Sequence, residues 1–182
     1  LTMIIKAIKN IDPSADVRLC APTGKASIRM RELTGERAET IHRLVGYPQA
    51  ILEENELVCD FVIADEFSMC DIQLCSWLFN CVCSGARVVI AGDHEQLPSV
   101  GPGLVLRDMI TSGAIPVSQL KEVFRQSGKS LIVENAHAII NHPNGCISMK
   151  FSQEKGGDFY MIEADTQRQL LKIGRAHDST PL

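Results

Sequence analysis

Phe61-Val62-Ile63-Ala64-Asp65-Glu66-Phe67-Ser68-Met69 is a short apolar run that leads into two adjacent carboxylates. An unbroken apolar run bounded by polar residues suits a strand buried on both faces of a parallel sheet, and the C-terminal edge of such a sheet is where open α/β folds place ligands. Asp65 and Glu66 fall on that edge. There, one carboxylate is able to hold Mg²⁺ and its neighbour to polarise a water that attacks a terminal phosphate. An ordinary strand end with solvated acids is an equal reading of these residues alone, so the flanking sequence decides.

Two further strand-like runs frame this one. Val17 to Ala21 ends in Pro22-Thr23-Gly24-Lys25-Ala26, where Pro22 and Gly24 break the strand and a helix from Ala26 to Leu33 opens with free backbone N–H groups that suit a phosphate. A plain strand-to-helix turn is the commoner meaning of such a stretch. Gly35 closes that helix, and Thr40 is placed to cap a short one that carries His42 and Arg43 in its first turn. Arg87 to Ala91 is the third apolar run, followed by Gly92-Asp93-His94-Glu95-Gln96-Leu97-Pro98. Helices between the runs complete a βαβ rhythm, whose crossovers bring all three strand ends to one edge.

Other segments are read more coarsely. Leu1 to Ile11 carries a helical stripe of Met3, Ile4, Ala7, Ile8 and Ile11, and Asp12-Pro13 stops it. Gly46 to Asp60 has no clear period and reads as an exposed excursion or small hairpin. Asp71 caps a helix with apolar Ile72, Cys75, Leu78, Phe79 and Val82, ended by Ser84-Gly85. Leu104 to Thr111 is a helix, Ala114 to Leu120 a further strand, Ser130 the cap of a helix stopped by Pro143-Asn144-Gly145, Asp158 to Glu163 an alternating strand, and Asp165 the start of a last short helix.

Composition bounds the class. A chain of 182 residues with 45% apolar content supports a sizeable core. It has no run approaching the roughly 18 apolar residues of a membrane span and no leader pattern, so a soluble cytoplasmic protein without membrane contact is expected. Seven cysteines, mostly within apolar runs, read as reduced and buried. The group Cys70, Cys75, Cys81 and Cys83 lacks paired ligand spacing and a nearby histidine, which argues against a metal site there. The net charge of −4 has the wrong sign for a protein that coats nucleic acid with a basic surface, but it permits a narrow single-strand groove with a few cationic contacts. The first residue is Leu1, inside a helical stripe, so the chain reads as an internal segment of a longer protein.

Several stretches together resemble the RecD-like branch of superfamily 1 DNA helicases. Ala21-Pro22-Thr23-Gly24-Lys25-Ala26 resembles motif Ia, Thr40-Ile41-His42-Arg43-Leu44 the segment after it, and Asp65-Glu66-Phe67-Ser68-Met69 motif II, the Walker B element. Gly92 to Gly103 resembles motif III, Phe124-Arg125-Gln126 motif IV, and Asn135-Ala136-His137 a further family run. Motifs in this order over Leu1 to Asp165 make coincidence improbable.

The resemblance implies ATP and Mg²⁺ as cofactors, with Asp65 as Mg²⁺ ligand and Glu66 as the residue that orients or deprotonates the attacking water. Gln96 would contact the γ-phosphate, Gly92, Asp93 and Gln126 would border the nucleotide, and Arg125 would act as an arginine finger from a second domain. Pro22, Thr23 and Lys25 would touch single-stranded DNA, with His42 and Arg43 beside it. The implied fold is an α/β, RecA-like P-loop NTPase sheet flanked by helices, with residues 1–118 as a first motor domain, 119–173 as the start of a second, and 174–182 as an irregular tail. The family's phosphate-binding loop is expected before Leu1, and motifs V and VI after the last helix, so the segment alone is expected to be inactive. The implied activity is ATP-driven translocation and unwinding, with 5′-to-3′ polarity, in repair or recombination. The implied partners are single-stranded DNA, duplex junctions and a helicase–nuclease or relaxase assembly. The competing readings are an inactive RecA-like DNA- or protein-binding module and a superfamily 1 RNA helicase.

Overall fold

A computed structural model of the chain describes residues 1–47, 56–120, 130–141, 148–152, 158–161, 166 and 169. The chain divides into two compact units, Leu1–Ser118 and Gln119–Leu182. The first unit is built on a parallel sheet in the order β2-β1-β3-β4, with β1 Val17–Ala21, β2 Ala38–Thr40, β3 Phe61–Ala64 and β4 Arg87–Ile90. The three apolar runs are strands as expected, and β2 is an addition. Its Ala38-Glu39-Thr40 has too little apolar character to signal a strand, and it exists by pairing with the outer side of β1, with Leu19 opposite Ala38 and Ala21 opposite Thr40.

Helices cover both faces: α1 Thr2–Ile11 and α2 Gly24–Thr34 on one side, and α3 Ile41–Leu44, α4 Ile72–Cys81 and α5 Val105–Ser112 on the other. Successive residues of a strand point to opposite faces. Leu19 and Ile63 therefore pack with Ile5, Ile8 and Met30, while Cys20, Val62 and Ala64 pack with Ile41, Leu74, Leu78, Phe67 and Leu106. Double-sided burial is why the central strands read as continuous apolar runs. β4 lies at the sheet margin and is only partly buried, and the guanidinium of Arg87 sits 5.4 Å from the centroid of the Phe61 ring.

Local chemistry sets the helix ends. Thr40 Oγ1 accepts from Arg43 N at 3.2 Å and Asp71 Oδ1 from Leu74 N at 2.8 Å, two side-chain N-caps of the expected kind, and Thr23 Oγ1, accepting from Ala26 N at 3.2 Å, adds a third that starts α2 at Gly24 rather than Ala26. Gly35 closes α2 in the left-handed conformation, at φ 73°.

Several expectations are corrected. In α1 the buried positions are Ile5 and Ile8, while Met3 and Ile11 are exposed, so of the expected stripe Ile8 faces the sheet and Ile5 joins it. In α4, Leu74 replaces Ile72 and Phe79 on the buried side, and the helix ends at Cys81, after which Val82 forms a parallel bridge with Leu57. Residues 48–55, which carry most of the excursion read between Gly46 and Asp60, lie outside the described residues. Ala114 to Leu120 is not a strand: Pro116 lacks an N–H, no described strand lies beside the segment, and its residues are exposed. Residues 158–161 are also irregular, and Asp165 lies outside the described residues. No described helix is long and apolar enough to cross a membrane.

In the second unit, α6 Leu131–Asn141 begins after Ser130, whose Oγ accepts from Val133 N at 3.4 Å. Asn135 is buried and uses both ends of its amide on Lys150, donating to its carbonyl at 2.8 Å and accepting from its N–H at 2.9 Å. An amide that pairs with a backbone in this way substitutes for a missing strand neighbour, which gives Asn135 a structural role. Phe151 and Phe159 stack at 5.5 Å beside it in sequence.

Candidate functional site

The strand registers align the C-terminal ends of β2, β1, β3 and β4 along one edge: Thr40 is opposite Ala21, Cys20 opposite Ala64, and Ala64 opposite Ile90. The residues that follow each strand are therefore neighbours in the same order. Thr40 is followed by His42 and Arg43, Ala21 by Pro22, Thr23 and Lys25, Ala64 by Asp65 and Glu66, and Ile90 by Gly92, Asp93 and Gln96. Arg125 and Gln126 lie outside the described residues.

Asp65 N donates to Cys20 O at 2.9 Å, extending the ladder by one residue before the chain turns. Glu66 then takes φ 53°, ψ 36°, the left-handed region, and no other described non-glycine residue has a positive φ. A side chain there costs about 1–3 kcal/mol and persists only where its surroundings over-determine it. The surroundings are visible. Phe67 is fully buried, its N–H donates to Ala91 O at 3.0 Å, and a short 3-10 turn, Phe67–Met69, closes through Met69 N and Glu66 O at 3.1 Å. Both carboxylates are partly exposed and have no hydrogen-bond or ion-pair partner among the described residues. Just beyond them, the buried Ser68 Oγ has no hydrogen-bond partner.

The loop after β4 is fastened at one end to this turn and at the other to the start of α4. A Cβ built on Gly92 would lie 2.9 Å from Leu106 Cδ2, 3.0 Å from Phe67 N and 3.1 Å from Ser68 N. A Cβ on Gly101 would collide with the Asp71 carboxylate, and Ile72 N donates to Pro102 O at 2.9 Å. Close approach of backbone favours glycine at 92, and the Asp71 side chain leaves no room for a Cβ at 101. Between them the loop is largely exposed and internally braced: Asp93 accepts from Glu95 N at 3.0 Å and from Gln96 Nε2 at 3.2 Å. Gln96 is thus held by Asp93 while remaining at the surface.

On the other half of the edge, Thr23 is engaged as the cap of α2, whereas Lys25 is exposed. Arg43 is exposed, with Nε 3.9 Å from Glu39 Oε1. His42 packs edge-on against Tyr47 and Trp77. Sequence reasoning missed the Asp71–Gly101 contact, the left-handed Glu66 and the packing of Tyr47 and Trp77 with His42. For the glycines the only local signal was their position at loop ends.

A family model described as an AAA domain matches residues 2–156. The chain belongs to that AAA-domain family. Among the relatives of this AAA-domain chain, the ATP-dependent RecD2 DNA helicase of Deinococcus radiodurans is 40% identical over 141 residues, which is 75% of this chain and 19% of that protein. The RecBCD enzyme subunit RecD of Mycolicibacterium smegmatis is 34% identical over 137 residues, 62% of this chain and 24% of that protein. These relatives bear out the resemblance to RecD-like helicases carried by the motifs. The chain spans about a fifth to a quarter of their length. A crystal structure of the Pif1 helicase from Bacteroides in complex with ADP-AlF3 and single-stranded DNA aligns over 100% of this chain and 51% of its own, at 17% identity and a TM-score of 0.50. That likeness concerns the fold, which is a RecA-like parallel sheet flanked by helices.

Proposed function

We propose that this AAA-domain chain is part of a motor that couples ATP hydrolysis to movement along single-stranded DNA and to duplex unwinding. The observation that carries the reading is the division of one sheet edge into two halves. Unpaired carboxylates and a glycine-fastened polar loop occupy the β3–β4 half, and exposed cations follow β1 and β2. A motor needs nucleotide and strand to share one rigid platform, because only then does a change at the phosphate move the groups that grip the strand.

The donor set fits Mg²⁺. Among the described residues no cluster of three His, Cys, Asp or Glu side chains exists, and Mg²⁺ bound through phosphates calls for only one or two carboxylates, with waters completing its shell. Asp65, a hard and unpaired oxygen donor, is the residue to hold it, with Ser68 Oγ as an unused polar group close by in sequence. When bound, Mg²⁺ neutralises charge on the phosphates. Glu66, held by its left-handed backbone, orients or deprotonates the attacking water. Gln96 and Arg125 contribute polar and cationic contacts to the transferred phosphoryl group. Thr23 and Lys25 follow the strand's phosphates, with His42 and Arg43 beside the strand. The name of one relative, a RecBCD enzyme subunit, supports a further element of the proposal, that the complete protein works within a larger assembly.

The test uses the complete protein. Glu66→Gln preserves shape while removing the base, so DNA-stimulated phosphate release should fall about 10²-fold or more while ATP binding persists. Equal loss of binding and turnover would assign Glu66 a structural role. Near-normal turnover would remove it from the chemistry.

A further inference from the structure

We infer that His42, Tyr47 and Trp77 form a stacking platform for an unpaired nucleobase, an inference that rests on the single-strand reading of the β1–β2 half of the edge. The three rings form a closed cluster. Tyr47 and Trp77 lie 4.8 Å apart at an interplanar angle of 31°, while His42 meets Tyr47 edge-on at 5.4 Å and Trp77 at 5.9 Å. They are unusual in this chain, which is 5% aromatic and has one tryptophan and two tyrosines. Phe67, by contrast, is wholly buried, whereas His42 is exposed, Tyr47 is 45% exposed and Trp77 is half-buried.

The mount is rigid. Ile41 and Val45 are buried on either side of His42, and Tyr47 N donates to His42 O at 2.9 Å, closing the turn that carries the phenol. Trp77 stands on α4 between buried Cys75 and Leu78. Rings held this way stack on a ligand with little further loss of freedom.

The chemistry selects a base over a purely apolar ligand. The Tyr47 hydroxyl, the Trp77 indole N–H and the His42 ring nitrogens have no hydrogen-bond partner among the described residues. The cluster thus offers π-faces together with unused polar tips, which suits a flat heterocycle with polar edges. A cation accompanies it: Arg43 is adjacent to His42, and Glu39, its neighbour at 3.9 Å, is bound more closely by Arg37, which leaves one positive charge over. Position agrees as well. Thr40, directly before α3, is paired with Ala21, directly before Pro22 and Thr23, so a strand passing Lys25 would reach these rings next.

Trp77 is the only tryptophan in the chain, so its fluorescence reports on this cluster alone. The intact chain is titrated with an oligothymidylate and with an abasic strand of the same length and charge. The thymidylate should quench Trp77 and bind about tenfold more tightly than the abasic strand, which should bind with little quenching. Tyr47→Ala should weaken thymidylate binding about 5- to 100-fold and leave abasic binding unchanged, whereas Tyr47→Phe should retain both. Equal affinity and equal quenching for the two strands would overturn the stacking site and leave the phosphate track standing. Binding of neither strand would overturn both readings.

Discussion

Cys20 shows at the scale of one residue how this fold uses its thiols. It is fully buried in the middle sheet, and burial pushes its thiol up to about 12 from an ordinary 9.0. Cys70 is pushed up to about 12 for the same main reason. A thiol that keeps its proton in the folded state to a higher pH than in the unfolded chain supports folding fully below 9.0, and that support is lost as pH rises through the window from 9.0 to about 12. Within the window each such group should lower stability by about 1.4 kcal/mol per pH unit. Replacing Cys20 with alanine should therefore make the stability loss between about pH 9 and pH 10.5 shallower, even though the variant starts less stable because of the void it leaves. Chemical denaturation across that range is the measurement, and an unchanged slope would show that Cys20 ionises in the folded state as it does in the unfolded chain.

At the scale of elements, the junction between α4 and the loop from Gly92 to Gly103 ties the carboxylate turn to the surface that carries Gln96. Asp71 serves both, because its side chain caps α4 and fills the space where a Gly101 side chain would stand. Gly101→Ala should force the cap aside and cost about 1–3 kcal/mol. Asp71→Gly removes the obstructing atoms at a cost of only a few tenths of a kcal/mol relative to the native cap. In that background Gly101→Ala should cost less than half of its effect in the native chain, because the two positions share one contact. Urea denaturation of the four variants tests this, and additive losses would mean that the loop and the helix end are independent.

For the whole molecule, charge placement matters more than net charge. The chain carries −4 overall, yet exposed Lys25 and Arg43 follow the adjacent strands β1 and β2 at one end of the sheet edge. Thr23 is a poor probe of this track, because its hydroxyl caps α2 and its loss would destabilise the helix as well. Lys25→Ala is cleaner. In the complete protein without nucleotide, it should weaken single-stranded DNA binding and flatten the log–log salt dependence by about 0.7. Arg125→Ala, assigned to the nucleotide, should leave that slope alone. An unchanged slope for Lys25→Ala, or a reduced one for Arg125→Ala, would exchange the two assignments.

What the sequence determined by itself was local. Strands β1, β3 and β4 were legible because burial on both faces leaves no polar alternation in them, and α3 and α4 announced their starts through Thr40 and Asp71, whose side chains bond within three residues. The carboxylate pair and the loop after β4 were legible for the same reason, since each follows a strand end directly. Tertiary structure alone decided what depends on distant partners. β2 is a strand only because β1 offers an unpaired side, and Ala114 to Leu120 is not one because no described strand lies beside it. Ile5 is buried in place of Met3 because of where the sheet lies under α1. Gly101 meets Asp71 across thirty residues of chain, and Trp77 joins His42 and Tyr47 from another helix. Hydrogen bonds between near neighbours are written in residue order, whereas packing between remote ones is set by the geometry of the sheet that carries them.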